Sequence, residues 1–155
     1  METAPRQPKI GVKAIILRDQ HLLTVVKAYP EGKAYILPGG SQEHGETLDA
    51  AIARECLEEI GTTITVERLL CVREYIGANH QHASLDMQLH IVDIMFACTL
   101  PDDYVPQLGR APDDDQIGVQ WLLVERLHEY RFYPAALQAW LVQPEMPSSY
   151  IGDIN

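Results

Sequence analysis

The apolar residues of this chain are gathered into short runs, and glycine, proline and charged residues separate one run from the next. Runs rich in valine, isoleucine, leucine and aromatic residues favour β-strands, because these side chains pack well on a pleated surface. The first two runs flank a turn at residues 18–20, and we expect them to pair as an antiparallel hairpin. In all, the pattern predicts strands at residues 10–17, 21–28, 34–37, 64–76, 89–100 and 118–124.

Residues 47–60 follow a helical period instead. At about 100° per residue they separate into an apolar stripe and an opposed charged face. Thr47 is suited to cap the first turn, and Gly61 is suited to end the helix in a left-handed conformation. The apolar stripe consists of Ile52, Ala53, Cys56, Leu57 and Ile60.

The remaining segments complete the predicted order of elements. Residues 134–142 are predicted to form a second helix, with proline at the first position, where it is tolerated. Residues 77–88 are polar and residues 101–115 are rich in proline, glycine and aspartate, so both are expected to be irregular. Strands dominate before and after one central helix rather than alternating with helices. The sequence therefore predicts an α+β fold.

Length and composition bound the class of protein. With 155 residues, 46% hydrophobic and 22% charged, the chain resembles one globular domain. We expect a single domain over residues 1–155, in which residues 1–9 are loose. No apolar run reaches the roughly 20 residues of a membrane-spanning helix, and the first residues lack the apolar segment of a signal peptide. We therefore expect a cytoplasmic protein with no membrane partner.

The net charge limits which ligands the chain can bind, and the spacing of the cysteines limits which covalent or metal sites it can form. A net charge of −10 argues against binding long nucleic acids, which requires a basic surface. Such an acidic surface would also repel a polyphosphate unless cations lay between the two. The cysteines are widely spaced in apolar surroundings, which indicates buried thiols rather than a disulfide framework or a zinc site. They are Cys56, Cys71 and Cys98.

The charged face of the predicted helix carries the candidate chemistry. Glu55, Glu58 and Glu59 are spaced i, i+3 and i+4, which makes them neighbours at roughly 5–6 Å between Cβ atoms. Three like charges repel one another unless a cation lies between them. Clusters of oxygen ligands are what hard divalent cations such as Mg²⁺ and Mn²⁺ prefer. The alternative, a solvated acidic helix face, leaves the placement of the nearby glycines and Arg54 unexplained.

The spacing of residues 40–62 resembles the Nudix box, G-x5-E-x7-R-E-U-x-E-E-x-G-U, in which U is a bulky aliphatic residue. The two U positions depart from the pattern, since they hold Cys56 and Thr62, and this affects packing rather than chemistry. A looser resemblance extends from about residue 10 to residue 137. All seven fixed positions match, at Gly40, Glu46, Arg54, Glu55, Glu58, Glu59 and Gly61.

The resemblance implies a fold, a cofactor and a set of ligands. The fold is a Nudix-like α/β/α sandwich with a mixed sheet and one catalytic loop-helix-loop. The cofactor is Mg²⁺, with Mn²⁺ as an alternative. Arg54 is expected to orient a glutamate by pairing with it, and Glu46 either holds the loop or complements the helix dipole. The implied metal ligands are the carboxylates of Glu55, Glu58 and Glu59 and the backbone carbonyl of Gly39.

Two residues are alternatives for the general base. Glu55 lies in the box, whereas Asp115 precedes the last predicted strand by a short stretch, where many members of the family carry an acidic residue. Other members use a glutamate directly before the tryptophan of that strand, and here this position is Gln120. The predicted catalytic residues are Arg54, Glu55, Glu58 and Asp115.

The sequence identifies substrate-binding residues less clearly than it identifies the metal ligands. Arg73 and Lys27 are candidates to contact phosphate, but each can also be an ordinary surface base. Tyr35 is either a packing residue or a platform on which a base stacks. His80 and His82 resemble a metal-binding pair, but no cysteine or third histidine lies nearby, so we favour a surface loop. Contact of these histidines with substrate is left open.

The expected function is Mg²⁺-dependent hydrolysis of a pyrophosphate bond in a nucleoside diphosphate linked to another moiety. Markers that accompany ADP-ribose or dinucleoside polyphosphate hydrolysis are missing after the box, and the chain shows no added N-terminal domain. We therefore favour nucleoside triphosphates as substrates. The expected binding partner is then a small nucleotide. The sequence leaves open whether the chain forms a homodimer. The alternative is a non-catalytic nucleotide-sensing module on the same fold, but a sensor has no need of all three box glutamates.

Overall fold

The computed structural model describes residues 6–142 and 149–155. Residues 1–5 of the segment expected to be loose lie outside the described residues. Within them, the chain forms ten strands and three α-helices. The helices are α1 (Leu48–Ile60), α2 (Ala83–Asp86) and α3 (Leu137–Leu141). The strands are β1 (Lys9–Ile15), β2 (Leu17–Arg18), β3 (His21–Tyr29), β4 (Gly32–Ile36), β5 (Gly39–Ser41), β6 (Thr65–Ile76), β7 (His90–Thr99), β8 (Gln116–Leu123), β9 (Phe132–Tyr133) and β10 (Tyr150–Asp153).

The strands form two five-stranded sheets, counted over the described residues. The first has the order β10-β6-β7-β1-β5, and both β1–β7 and β10–β6 are parallel pairs. The second has the order β2-β3-β4-β9, with β8 added on the other side of β3. Parallel and antiparallel pairs occur in both sheets. This arrangement confirms the predicted α+β class with mixed sheets.

The predicted hairpin between residues 10–17 and 21–28 is wrong over most of its length. Only the two residues of β2 pair with the start of β3, across a turn in which Asp19 and Gln20 have positive φ angles of 49° and 64°. The chain changes sheets near Ile16, so that β1 lies between β7 and β5 instead. Closeness in sequence suggested the hairpin, whereas long-range packing determines the partners of β1.

Five other elements differ from the sequence pattern. The helix expected over residues 134–142 is confined to α3, and the polar segment 77–88 contains the short helix α2. Strands β5, β9 and β10 were not predicted, and the backbone of β10 pairs with β6 at the edge of the first sheet. Among the described residues, none of the helices is long and apolar enough to cross a membrane.

Alternation along the strands builds two apolar clusters on opposite sides of the sheets. On β1, Val12 and Ala14 belong to the cluster beneath α1, whereas Ile15 belongs to the cluster beneath α3. The same division occurs on β7, where Phe96 and Met95 lie in different clusters. Successive strand side chains point to opposite faces, so the sheets are covered by α1 on one side and by α3 on the other. All three cysteines are buried in these clusters.

Both predicted ends of α1 are confirmed. The Thr47 hydroxyl accepts a hydrogen bond from the Ala50 N–H at 3.2 Å, and Gly61 adopts a φ of 74° while its N–H donates to the Cys56 carbonyl. The irregular segment 101–115 then supplies donors to the last turn, which otherwise leaves carbonyls unpaired. Gly109 N–H donates to the Glu59 carbonyl at 3.0 Å, and the Tyr104 hydroxyl donates to the Ile60 carbonyl at 2.7 Å.

Candidate active site

Arg54 organises the acidic face of α1. Its guanidinium nitrogens lie 2.8 Å from Glu46 Oε1, 2.9 Å from Glu55 Oε1 and 3.5 Å from Glu58 Oε2. It also donates to the Ser41 carbonyl at 3.0 Å. The hydrogen bond with Glu46 is the main reason that the pKa of Arg54 is raised. One cation therefore holds three carboxylates and ties the helix to the end of β5.

Glu59 is more deeply buried than the three carboxylates that Arg54 holds. It is 4% exposed, and its Oε2 accepts a hydrogen bond from the Gly39 N–H at 2.9 Å. Burial raises the pKa of Glu59 to about 7, although the Gly39 N–H opposes the shift. Burial likewise raises the pKa of Glu55, against the opposing effect of Arg54. Two box carboxylates are thus held where ionisation is unfavourable without a further positive charge.

The two glycines before the box allow this close packing. Gly39 has a φ of 147°, and a Cβ at this position would overlap the Val12 carbonyl. A Cβ on Gly40 would overlap the carboxylate of Glu55. The side chain of Glu55 therefore occupies space that any other residue at position 40 would fill.

Lys13 is a second cation at this site, and it was not among the residues predicted from the sequence. It pairs with Gly39 in the register of β1 and β5, and its charge lowers the pKa of both Glu55 and Glu59. Within the part of the chain that the structure describes, Lys13 forms no ion pair, unlike Arg54. A lysine in the middle of the otherwise apolar run 10–17 was the signal that could have identified it.

The box carboxylates are not gathered into a ready-made metal site. Among residues 6–142 and 149–155, no three histidine, cysteine, aspartate or glutamate side chains are arranged as a metal-binding group. The reason lies in their partners, because Arg54 holds Glu55 and Glu58 whereas the Gly39 N–H holds Glu59. The N–H of Gly39 thus contacts Glu59. The group of Gly39 that was expected to bind metal is instead its carbonyl.

The loop before β8, together with the first residue of that strand, lies at the C-terminal end of α1. Gln116 Nε2 donates to the Glu59 carbonyl at 2.8 Å. Lys27 Nζ lies 2.8 Å from Asp113 and 2.9 Å from Asp115. Burial lowers the pKa of Lys27, but the hydrogen bonds to these carboxylates outweigh that effect and raise it. Lys27 and Asp115, predicted as a phosphate contact and as a base, therefore face each other.

The other two predicted substrate contacts have partners outside the box. Arg73 is buried and pairs with Asp93 at 2.9 Å, while its Nη1 donates to the Ile154 carbonyl at 2.7 Å. Tyr35 packs edge-on against Tyr130 with ring centroids 5.2 Å apart. The structure thus brings the box residues together, but it places Arg73 and Tyr35 in other surroundings.

The two histidines of segment 77–88 have different partners. His80 Nε2 lies 2.6 Å from Asp153 Oδ1 on β10, and its ring stacks on Tyr75. His82 packs edge-on against Tyr133 with ring centroids 5.8 Å apart. The two rings therefore do not share one site, and of the two only His82 lines the cavity described next.

That cavity has a volume of about 410 Å³ and is lined by strands of both sheets. Its walls are largely aromatic and aliphatic. A second cavity of about 80 Å³ lies next to it and has Lys13 on its wall. The two share Ile36, Arg73 and Tyr133. Most of these residues come from separate strands, which is why the sequence pattern did not reveal the cavity.

This chain is similar in sequence to a known protein. A relative named as an ADP-ribose pyrophosphatase, from Methanocaldococcus jannaschii, is 33% identical over 90 residues, which are 57% of this chain and 49% of the relative. The chain thus matches about half the length of that protein.

Solved structures share the fold. A UDP-X diphosphatase aligns with a TM-score of 0.68 and 23% identity over 97% of this chain and 70% of its own. A MutT NUDIX hydrolase from Burkholderia pseudomallei aligns with a TM-score of 0.64 and 26% identity over 89% of this chain and all of its own, 100%. The family model described as the NUDIX domain matches residues 7–141. Since this match covers most of the sequence, including the box and strands β1 to β9, the chain belongs to the NUDIX domain family.

Proposed function

We propose that this chain is a divalent-cation-dependent pyrophosphohydrolase that cleaves a nucleoside diphosphate linked to a second group X. The observation that carries the proposal is the set of three carboxylates on one face of α1. Glu55, Glu58 and Glu59 are held by a single arginine and one backbone N–H. Family membership and the name of the archaeal relative support the same reaction class.

The chemistry of the carboxylates fits a hard divalent cation. All three ligands offer oxygen, and burial raises the pKa of Glu55 and of Glu59, so that their charged forms are disfavoured without a nearby positive charge. A cation would offset that cost. Glu55, Glu58 and Glu59 would hold Mg²⁺ or Mn²⁺, with Gly39 beside them. When bound, the ion would neutralise phosphate charge and lower the pKa of an attacking water.

The chain's own residues supply the remaining steps. Glu55 is our choice as the general base, because its place is fixed by the box and Arg54 holds its carboxylate beside the residues that would bind the cation. Asp115 is the alternative, and its carboxylate already pairs with Lys27. Arg54 is a positioning residue, since it holds Glu55 and Glu58 in place and offsets their repulsion.

Two chemical classes are candidates for the group X. A terminal phosphate makes the substrate a nucleoside triphosphate, which the sequence favours. A sugar makes it a nucleoside diphosphate sugar, which the name of the archaeal relative favours. Nothing in the described residues favours a sensing module without turnover.

A substrate panel tests the proposal. Nucleoside triphosphates, nucleoside diphosphate sugars and dinucleoside polyphosphates should be assayed with Mg²⁺ and with Mn²⁺ for release of nucleoside monophosphate. We expect cation-dependent cleavage that Glu58→Gln lowers by a hundredfold or more. Glu125→Gln is the matched control, because Glu125 is exposed and lies far from α1 in the chain. Turnover that survives removal of all divalent cations by chelation would contradict the proposal.

A further inference from the structure

An irregular segment holds the last turn of α1, which carries two of the three box carboxylates. We call residues 104–116 the clamp segment. The last carbonyls of a helix have no partner within the helix, and the clamp segment supplies donors to them. Ala111 N–H donates to the Glu58 carbonyl at 3.1 Å, and Gly109 N–H donates to the Glu59 carbonyl at 3.0 Å. The backbone at both glutamates is therefore held by this segment.

The clamp segment fits closely against the helix. A Cβ on Gly109 would overlap the Glu58 carbonyl, so the two backbones touch at this point. The side chain of Gln116, which is 6% exposed, donates a further hydrogen bond from Nε2 to the Glu59 carbonyl at 2.8 Å. One backbone oxygen thus accepts two hydrogen bonds from the clamp segment. The last turn of α1 cannot fray unless these contacts break first.

A buried lysine anchors the end of the clamp segment to the second sheet. Lys27 lies on β3, and its Nζ lies 2.8 Å from Asp113 and 2.9 Å from Asp115. The Ala28 N–H adds a hydrogen bond to the Asp115 carbonyl at 2.8 Å. Lys27 also lies opposite Gln116 in the register of β3 and β8. The ion pairs therefore fix the stretch directly before the glutamine that contacts the helix.

The surroundings of Lys27 are unfavourable for a phosphate. Two carboxylates already occupy its ammonium group, which has three N–H donors. The side chain of Lys27 is 9% exposed, whereas those of Asp113 and Asp115 are 64% and 38% exposed. A phosphate that approaches from solvent would therefore meet two negative charges before it reached the ammonium group.

We propose that Lys27 is a positioning residue for the cation site, on which it acts through the clamp segment without contacting substrate. The proposal rests on the proposed function, because the cation site concerned is the one to which Glu58 and Glu59 would contribute. Loss of the ion pairs would release the clamp segment, and the last turn of α1 would lose the donors that fix its backbone. Both ligands would then be less well placed for the cation.

Lys27→Met is the first test. Methionine keeps much of the apolar stem that the lysine buries, and the two aspartates left unpaired stay in contact with solvent. Mg²⁺ binding to the substrate-free protein, measured by calorimetry, should weaken about tenfold, as is typical when a group that orients metal ligands is lost. KM for nucleoside triphosphates at saturating Mg²⁺ should be unchanged. Lys27→Arg should restore Mg²⁺ binding, since a guanidinium can also pair with carboxylates.

The direction of this effect separates positioning from simple electrostatics. Removal of one positive charge would, through the charge alone, strengthen the attraction of the protein for Mg²⁺. The clamp segment predicts the opposite change. Lys33→Met is the matched control for the charge, because Lys33 is exposed on the neighbouring strand β4. We expect this variant to bind Mg²⁺ at least as tightly as the unmodified protein does.

Amide hydrogen exchange gives a readout that needs neither cation nor substrate. The N–H groups of Gly109 and Ala111 are bonded to α1, so their exchange reports whether the clamp segment stays in place. Lys27→Met should speed their exchange about tenfold or more. The Ala51 N–H, which is bonded in the first turn of α1, should exchange as before. An equal increase at all three groups would indicate general destabilisation and would overturn the proposal.

Two aspartate variants complete the test, and they decide it even if Lys27→Met fails to fold. Asp113→Asn removes one ion pair, so it should weaken Mg²⁺ binding, and it should add little when combined with Lys27→Met because both act through one contact. Asp114→Asn is the matched control for the charge. Asp114 is exposed and forms no ion pair among the described residues. Equal Mg²⁺ binding in the two single aspartate variants would contradict the proposal.

The outcomes separate the two proposals. Unchanged or stronger Mg²⁺ binding in Lys27→Met would overturn the positioning role while cleavage still supports the proposed function. A raised KM with unaltered Mg²⁺ binding would identify Lys27 as a substrate contact and also overturn it. Mg²⁺ binding that depends on Lys27 in a protein that cleaves nothing would support the positioning role and contradict the proposed function.

Discussion

The backbone N–H of Gly39 donates a hydrogen bond to Oε2 of Glu59 over 2.9 Å, which joins the first residue of β5 to the last turn of α1. The bond lies in surroundings that bury Glu59 almost completely. A hydrogen bond to the charged form favours ionisation, whereas burial opposes it. Burial is the larger effect here, since the pKa of Glu59 is raised to about 7. This carboxylate is therefore poised to gain from a nearby cation.

We predict that Glu59→Gln removes most of the activity but leaves the fold stable. The substitution deletes an expected cation ligand and also removes a charge from a crowded, enclosed position. Thermal melts with and without Mg²⁺ provide the measurement. Mg²⁺ should raise the Tm of the unmodified protein clearly more than that of the variant. An equal rise in both would show that Glu59 is not a principal ligand.

The stability of the cation-free protein should fall as pH rises from about 4.5 to about 7. The pKa of Glu59 is about 7 in the folded protein and has an ordinary value near 4.5. Between these values the unfolded chain has released a proton that the folded chain still holds, so raising the pH favours unfolding. The loss amounts to about 3 kcal/mol across the window.

Urea unfolding at several pH values, in the presence of a chelator, measures this effect. Glu59→Gln isolates it, because the glutamine does not titrate. The difference between the two free energies of unfolding should change through the window and level off above pH 7. A constant difference from pH 4.5 to pH 8 would contradict the assignment.

Glu55 and Asp115 should be separable as general bases. A ligand that is also the base should, when changed to glutamine, weaken both cation affinity and turnover. A loop residue that contacts only water should lower turnover alone. We therefore expect Glu55→Gln to lower kcat by about 10²–10⁴-fold and to raise the Mg²⁺ concentration needed for half-maximal rate.

Asp115→Asn serves as the comparison. Its main structural consequence is the loss of one of the two carboxylates that pair with Lys27. We expect less than a tenfold fall in kcat. A fall of a hundredfold or more with unaltered Mg²⁺ dependence would identify Asp115 as the base instead.

Gly40→Ala should impair the site without unfolding the protein. The new Cβ would overlap the Glu55 carboxylate, which is the end of a flexible side chain and can move away. We expect a loss of activity of tenfold or more and a weaker response of the Tm to Mg²⁺. Gly118→Ala is the matched control, because a Cβ there meets only Val26 side-chain atoms at 3.8 Å. Equal activity of the two variants would show that the position of Glu55 does not matter.

Local interactions explain what could be predicted from the sequence alone. A helix is held by contacts between residues three and four apart, so residues 47–60 showed both the acidic face and the ends of α1. The caps at Thr47 and Gly61 are equally local, and both occur as expected. The box glutamates are therefore recognisable as a group from their spacing in the chain. The positions of the longer strands were similarly visible from composition, whereas the short strands β5, β9 and β10 were not.

Only the tertiary structure decided which distant residues meet. Lys13 reaches the box because β1 lies between β7 and β5, and not beside β3 as its place in the sequence suggested. Tyr29, Tyr75 and Tyr133 line one cavity although they belong to β3, β6 and β9. Strand pairing depends on the packing of whole faces between residues far apart in the chain, and a local pattern of apolar residues is compatible with several such pairings. The acidic helix was therefore encoded locally, whereas the approach of Lys13 to it and the cavity lined by strands of both sheets depend on long-range packing.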